Sequence, residues 1–115
     1  IHQALIAEGM TPRPIERILE NCDLDASLAH RALAHLESEG KAVRIARDLY
    51  FDTATLDERI ALVQQWISQH GAGTVAELKE PLGTSRKYAV PLLEYLDAQG
   101  ITVREGDKRS LRPRR

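Results

Sequence analysis

The residues with the most chemical potential form two short runs, Gly83-Thr84-Ser85-Arg86-Lys87-Tyr88 and Arg104-Glu105-Gly106-Asp107-Lys108-Arg109. The first sets two hydroxyls and two cations where a helix is expected to begin. A helix start offers unpaired N–H groups and a partial positive charge, which suits phosphate. Stability alone disfavours Arg86 and Lys87 there, because the helix dipole repels cations at that end. The second run adds Lys108 and Arg109 at a turn. A solvated basic surface capped by Thr84 accounts for the motif as well as nucleic-acid binding does. The basic stretch after Leu111, with Arg112, Arg114 and Arg115, favours binding.

No comparable pattern points to catalysis. His2, His30, His35 and His70 lack metal-ligand spacing, since His30 and His35 are five apart and miss the i, i+4 offset that shares a helix face. Cys22 aligns with Leu82 in the repeat described below and reads as a core thiol. No glycine-rich phosphate loop is present, and the acidic residues are scattered as on solvated helix faces. No catalytic residue, metal or cofactor is expected.

The elements that must position these runs follow from periodicity. Leu56, Ile60, Val63, Trp66 and Ile67 predict a helix over 55–70, starting at Thr55 and stopped by Gly71. Thr74 and Glu77 form a capping box opening a short second helix with Val75, Leu78 and Leu82. Thr84 is expected to cap a third helix with Ala89, Leu92, Leu93 and Leu96 inward. Gly100 ends it in the left-handed conformation. Pro91 lies inside that helix and is expected to kink it without touching a ligand. Strands at 101–104 and 109–112 flank a turn at 105–108.

The first half repeats this grammar. Offsetting the sequence by 60 residues matches Glu20/Glu80, Ala29/Ala89, Leu33/Leu93, Leu36/Leu96, Gly40/Gly100, Val43/Val103 and Arg44/Arg104. All but the first fall in one window covering a helix stripe, a helix stop and a strand, so the chain reads as two copies of one unit. The first copy has the end of a helix before Gly9, a short helix after Pro14, a third helix over 26–39, and a hairpin of 41–45 and 49–51 around Ala46-Arg47-Asp48. Three helices followed by a β-hairpin is the order of a winged helix, in which the third helix starts beside the hairpin tip. The two runs are thereby expected to meet. The fold class is mainly α with small β-hairpins (α+β), as two tandem winged helices: 1–53, with a truncated first helix, and 54–115. Almost no linker is left between them, and each alone is small enough to be marginally stable. The first copy lacks the basic patch, because Asp23 and Asp25 open its third helix. Arg31, Arg44 and Arg47 read as ordinary surface residues.

Length and composition agree with one medium domain or two small ones: 115 residues, 43% hydrophobic and 29% charged. Five aromatic residues leave the core to aliphatic side chains. No apolar run approaches the roughly 20 residues of a membrane span. A lone cysteine points to a reducing compartment. The start lacks a signal peptide and an initiator Met, so a fragment of a longer protein is expected. The net charge of −1 conceals an asymmetry, −3 over residues 1–55 and +2 over 56–115.

The run from Gly83 through Ser85-Arg86-Lys87-Tyr88, the mid-helix Pro91 and Asp97, followed by Thr102 to Arg109, resembles the end of the bacterial selenocysteine-specific translation elongation factor. The resemblance is strong over 72–112 and architectural over 1–70. It implies the last two winged helices of a factor whose GTPase body carries selenocysteinyl-tRNA upstream. It implies that the second unit grips an mRNA hairpin downstream of UGA, anchoring the factor for selenocysteine incorporation in the cytoplasm. The implied RNA-binding residues are Thr84, Ser85, Arg86 and Lys87 at the helix start, and Arg104, Gly106, Asp107, Lys108 and Arg109 in the wing. Tyr88 is assigned to either packing or base stacking, and Asp107 to a base edge. The ribosome is a further candidate partner, and a monomer without membrane contact is expected. A duplex-DNA regulator and a protein-interaction module are the alternatives from other classes.

Overall fold

The computed structural model describes residues 1–113. The chain divides into two compact units, Ile1–Asp57 and Glu58–Arg115. The first contains α1 (His2–Glu8), α2 (Ile15–Glu20), α3 (Ala26–Ser38), β1 (Ala42–Ala46) and β2 (Leu49–Asp52), and the start of α4 (Thr53–His70). The second continues α4 and adds β3 (Gly73–Thr74), α5 (Val75–Leu82), α6 (Arg86–Ala98), β4 (Thr102–Glu105) and β5 (Lys108–Leu111). Three helices and a wing recur in each, as the winged-helix reading expects.

The repeat is visible in the backbone. α2 and α5 begin 60 residues apart, as do α3 and α6. Both third helices stop on a glycine in the left-handed region, Gly40 at φ 73° and Gly100 at φ 74°. The closing bonds repeat as well. Lys41 N–H donates to Leu36 O at 2.9 Å, and Ile101 N–H to Leu96 O at 3.0 Å. Each bond turns the chain from the helix into the first wing strand.

In the first unit Leu5, Ile15, Ile18, Ala29 and Leu33 are buried in one cluster, with Leu36 partly buried against it. The Ile15 N–H donates to Asp48 O at 2.8 Å, tying the start of α2 to the wing turn. The wing is antiparallel with Ala42↔Asp52 and Arg44↔Tyr50 in register, and slips between Arg44 and Ala46. Cys22 is half-buried, its thiol donating to Ile18 O at 3.6 Å.

Asp52, and not Thr55, organises the start of α4. Its Oδ2 accepts from the Thr55 N–H at 3.1 Å and hydroxyl at 2.7 Å, while Oδ1 lies 2.8 Å from His2 Nε2. Burial pushes the Asp52 carboxyl up, but the bonds from Thr55 and His2 outweigh it and hold the carboxyl below the usual range.

In the second unit Val63, Ile67, Leu78, Leu82, Leu93 and Leu96 are buried. Trp66, expected in the core, is half-buried instead and stacks on His70 with ring centroids 4.0 Å apart. Its edge lies against Gly73, where a Cβ would come within 2.6 Å of the indole and 2.9 Å of Leu78. That close approach admits only glycine, and it lets the short strand β3 reach the wing. The sheet is three-stranded in the order β3-β5-β4, with Gly73↔Arg109 and Thr74↔Lys108 paired. The expected turn at 105–108 narrows to Gly106 and Asp107. Pro91 lies within α6, which runs unbroken from Arg86 to Ala98.

One polar cluster is enclosed in this unit. Arg109 is 3% exposed, and its Nη2 and Nε donate to Asp97 Oδ2 at 3.1 and 3.2 Å. The buried Thr102 hydroxyl donates to Asp97 Oδ1 at 2.6 Å. One carboxylate at the end of α6 therefore holds both wing strands. Sixty residues earlier the first unit has Ala42 and Leu49 in place of Thr102 and Arg109.

Leu93→Ala should cost about 2–5 kcal/mol in urea denaturation, as expected for a fully buried leucine in a packed core. Asp97→Ala should cost about 3 kcal/mol, near the low end for a broken buried pair because Asp97 is 26% exposed. Replacing Asp97, Thr102 and Arg109 together by Ala, Ala and Leu should recover much of that loss in the same measurement. Because the Asp52 carboxyl is depressed, its contribution is complete above the ordinary carboxylate range and is lost as pH falls through the lowered folded value. The protection factors of α3 amides, exchange rates corrected for the intrinsic rate at each pH, should fall less steeply from pH 7 to 3 in Asp52→Asn than in the parent chain.

Candidate nucleic-acid interface

The sheet determines which charged groups meet. β3 leads directly into α5, whose capping box is complete: the Glu77 N–H donates to Thr74 Oγ1 at 3.3 Å, and the Thr74 N–H donates to Glu77 Oε1 at 3.0 Å. The Thr74 N–H and hydroxyl hold the Glu77 carboxyl below the usual carboxylate range, helped by the positive fields of Lys108 and His70. The pairing Thr74↔Lys108 brings that ammonium beside α5.

The start of α6 faces the same region. Arg86, Arg104, Asp107 and Arg109 line an open cavity of about 380 Å³ together with residues 74–76. Arg86 and Arg104 are exposed, so two guanidinium groups from different elements border one cavity, which the exposed Asp107 also lines. Arg104 Nε donates to Gly106 O at 2.9 Å, bracing the two-residue turn. Lys108 is exposed on the outer face of the wing. Lys87 lies 5.4 Å from the ring centroid of half-buried Tyr88, within cation–π range.

Ser85 occupies the cap position of α6 at φ −100°, ψ 168°, and its side chain makes no cap hydrogen bond. The expected cap, Thr84, lies one residue before it, with its N–H donating to Lys79 O at 3.2 Å. The first unit treats the same position differently. There the Asp25 carboxylate accepts from the Leu28 N–H at 2.9 Å and occupies the start of α3 with negative charge.

Of the ten residues expected at the interface, Arg86, Arg104 and Asp107 converge on the cavity, and Ser85, Lys87, Gly106 and Lys108 are exposed around it. Arg109 departs from expectation. It touches the cavity, but its guanidinium is committed to Asp97, so it positions the wing instead of presenting charge to solvent. Sequence reasoning missed Asp97 and Thr102. The available signal was an acid beside the buried stripe Ala89, Leu93 and Leu96, followed by a threonine and an arginine where the first copy is apolar. Among the described residues there is no group of three or more His, Cys, Asp and Glu placed to hold a metal ion. No helix among them is long and apolar enough to cross a membrane.

Comparison with known proteins bears on the same region. The family profile described as the elongation factor SelB winged helix matches residues 65–111, which span α5, α6 and the complete wing. The selenocysteine-specific elongation factor of Desulfomicrobium baculatum is 29% identical over 109 residues, and that of Haemophilus influenzae 30% identical over 89. These alignments take in 95% and 77% of this chain but 17% and 14% of those proteins. The chain therefore spans about a sixth of the length of the curated relatives it matches. The mRNA-binding domain of elongation factor SelB from Escherichia coli, solved in complex with SECIS RNA, superposes with a TM-score of 0.80 at 24% identity, covering 96% of this chain and 92% of that one. A bacterial selenocysteine-specific elongation factor, EF-Sec, superposes with a TM-score of 0.76 at 27% identity, covering 97% of this chain and 18% of that one. With the basic helix start, the braced wing and the matched profile all in one unit, the chain is a winged-helix segment of the selenocysteine-specific elongation factor family.

Proposed function

We propose that this chain binds an mRNA hairpin through its second winged helix and anchors a selenocysteine-specific elongation factor to its message. The observation that carries the reading is the convergence of Arg86 and Arg104 on one open cavity, with Lys87 and Lys108 exposed on the flanking elements. Four exposed cations around a helix start can hold backbone phosphates, which position the ligand without reading it. The Asp107 carboxylate inside this basic surface suits a donor on a base edge. Bases of that kind are accessible in loops and bulges, because the A-form major groove is too narrow for a helix. Thr84, Ser85 and Gly106 supply polar backbone and hydroxyl contacts, Tyr88 offers a ring edge, and Arg109 acts through the wing.

On this reading the functional divisions are 1–53 and 54–115, the second being the RNA binder. The chain itself performs no catalysis. The GTPase and tRNA-binding body belongs to other parts of the full-length protein, which works in the cytoplasm beside the ribosome, with this segment monomeric.

The test is titration of the chain with a small RNA hairpin, its unstructured counterpart and a DNA duplex. Tightest binding to the hairpin is expected, and preference for the duplex would favour a DNA regulator instead. With four phosphates neutralised, log affinity should fall with log salt at a slope of roughly −3 to −4. Arg86→Glu should weaken hairpin binding strongly, since it removes a cation and sets a carboxylate against phosphate. Arg31→Glu should change little, because its field is screened over about 8–10 Å at ordinary salt. Equal damage from both, with folding intact, would assign the RNA to both units.

A further inference from the structure

We infer that the start of α3 in the first unit is a docking site for a basic, amphipathic segment of a partner protein. This surface stands at the repeat position of the basic start of α6, yet its chemistry is reversed. Where the second unit has Thr84, Arg86 and Tyr88, the first has Leu24, Ala26 and Leu28. Leu24 and Leu28 are 45% and 47% exposed, two of the four large apolar side chains left open among the described residues. Leu24 also lines a cavity of about 140 Å³ with Leu19, Ala26 and Ala29, bordered by Glu16 and Glu20.

A purely structural role explains only part of this. Leu24 precedes the cap Asp25, and Ala29 is the fourth helical residue, so the pair has the spacing of a hydrophobic staple. An alanine covers little of a leucine, and Leu24 remains nearly half exposed. Leu28 has no place in the staple at all. Two open leucines four residues apart, one of them lining a small cavity rimmed by polar groups, are the arrangement of an interaction surface.

The charge around it selects the occupant. From Glu16 to Arg31 the sequence carries Glu16, Glu20, Asp23 and Asp25 against Arg17 and Arg31, and His30 Nε2 lies 3.5 Å from Glu16. Four carboxylates repel a phosphate backbone, which excludes nucleic acid here. They attract lysine and arginine, while the two leucines take an apolar side chain from the same segment. An amphipathic helix with Lys or Arg along one edge and Leu along the other meets both demands.

The probe is a synthetic amphipathic helix of alternating Lys and Leu faces, titrated into the isotopically labelled 115-residue chain. A peptide with the same lysines and Ser for Leu, one with Glu for Lys, and the RNA hairpin serve as comparisons. Saturable amide shifts confined to residues 16–30 are expected with the Lys/Leu peptide only. The exposed double variant Leu24→Ser/Leu28→Ser should lower that affinity roughly tenfold or more while its spectrum elsewhere is unchanged. No binding, shifts scattered over every acidic region, equal binding by the serine peptide, or hairpin shifts at residues 16–30 would each overturn the inference. Hairpin shifts at the start of α6 test the RNA reading separately, and either result stands without the other.

Discussion

The shape of the second unit's wing depends on a buried charge. Register places Arg104 directly opposite Arg109, so two guanidinium groups share one face of the hairpin. Like charges across strands repel, and a guanidinium enclosed by protein is costly without a counter-charge. Asp97 resolves both difficulties at once. It neutralises the buried Arg109 and leaves Arg104, its cross-strand partner, exposed, where Arg104 bonds its own turn and borders the cavity. The Thr102 hydroxyl takes up the remaining acceptor capacity of the same carboxylate. The end of α6 and both wing strands are thereby fixed by one side chain, and the start of α6 is held opposite the wing by that connection.

The two units show how one backbone serves two surfaces. Their helices and glycine stops coincide at an offset of 60 residues, and the helix-closing bonds have the same form. What differs is concentrated at the exposed start of the third helix and at the root of the wing. In the first unit an apolar wing root, Ala42 and Leu49, suffices. In the second the root is polar, and the single Ile15–Asp48 bond that joins wing to second helix in the first unit is replaced by the β3 pairing, Gly73↔Arg109 and Thr74↔Lys108. A wing tied on both sides suits a surface that must hold several cations in fixed positions, since unanchored lysines and arginines lose rotamer freedom on binding.

Much of this organisation was legible in the residues. Helical periodicity located every helix of the second unit, the pair Gly40 and Gly100 marked both turns into the wings, and Thr74 with Glu77 announced its capping box. Each of those signals is local, decided by side chains within four residues of one another. What stayed hidden was settled by distant partners. β3 is two residues long and exists because β5 lies beside it. Asp52 caps α4 through Thr55, three residues on, but its second oxygen is occupied by His2, fifty positions away, which no local pattern shows. Arg109 looked like another surface cation in a basic run, and only the meeting of α6 with the wing reveals that Asp97 claims it. Trp66 followed the core stripe, but the indole is too large to be enclosed beside Gly73 and remains at the edge.

The acidic residues of the candidate interface are as informative as its basic ones. Glu105 faces Lys108 across the hairpin, Glu77 lies near Lys108, and Asp107 lines the same cavity as Arg86 and Arg104. A surface meant only to attract polyanions would gain by omitting all three, because each lowers the long-range attraction that drives non-specific binding. On the proposed RNA-binding reading, retaining them weakens adherence to arbitrary nucleic acid and favours a ligand whose phosphates fall on the four cations while its donors meet the carboxylate. The discrimination expected of a module that must find one hairpin among many RNAs is therefore compatible with a net charge near neutral, and the modest overall charge of the chain is no argument against an RNA partner.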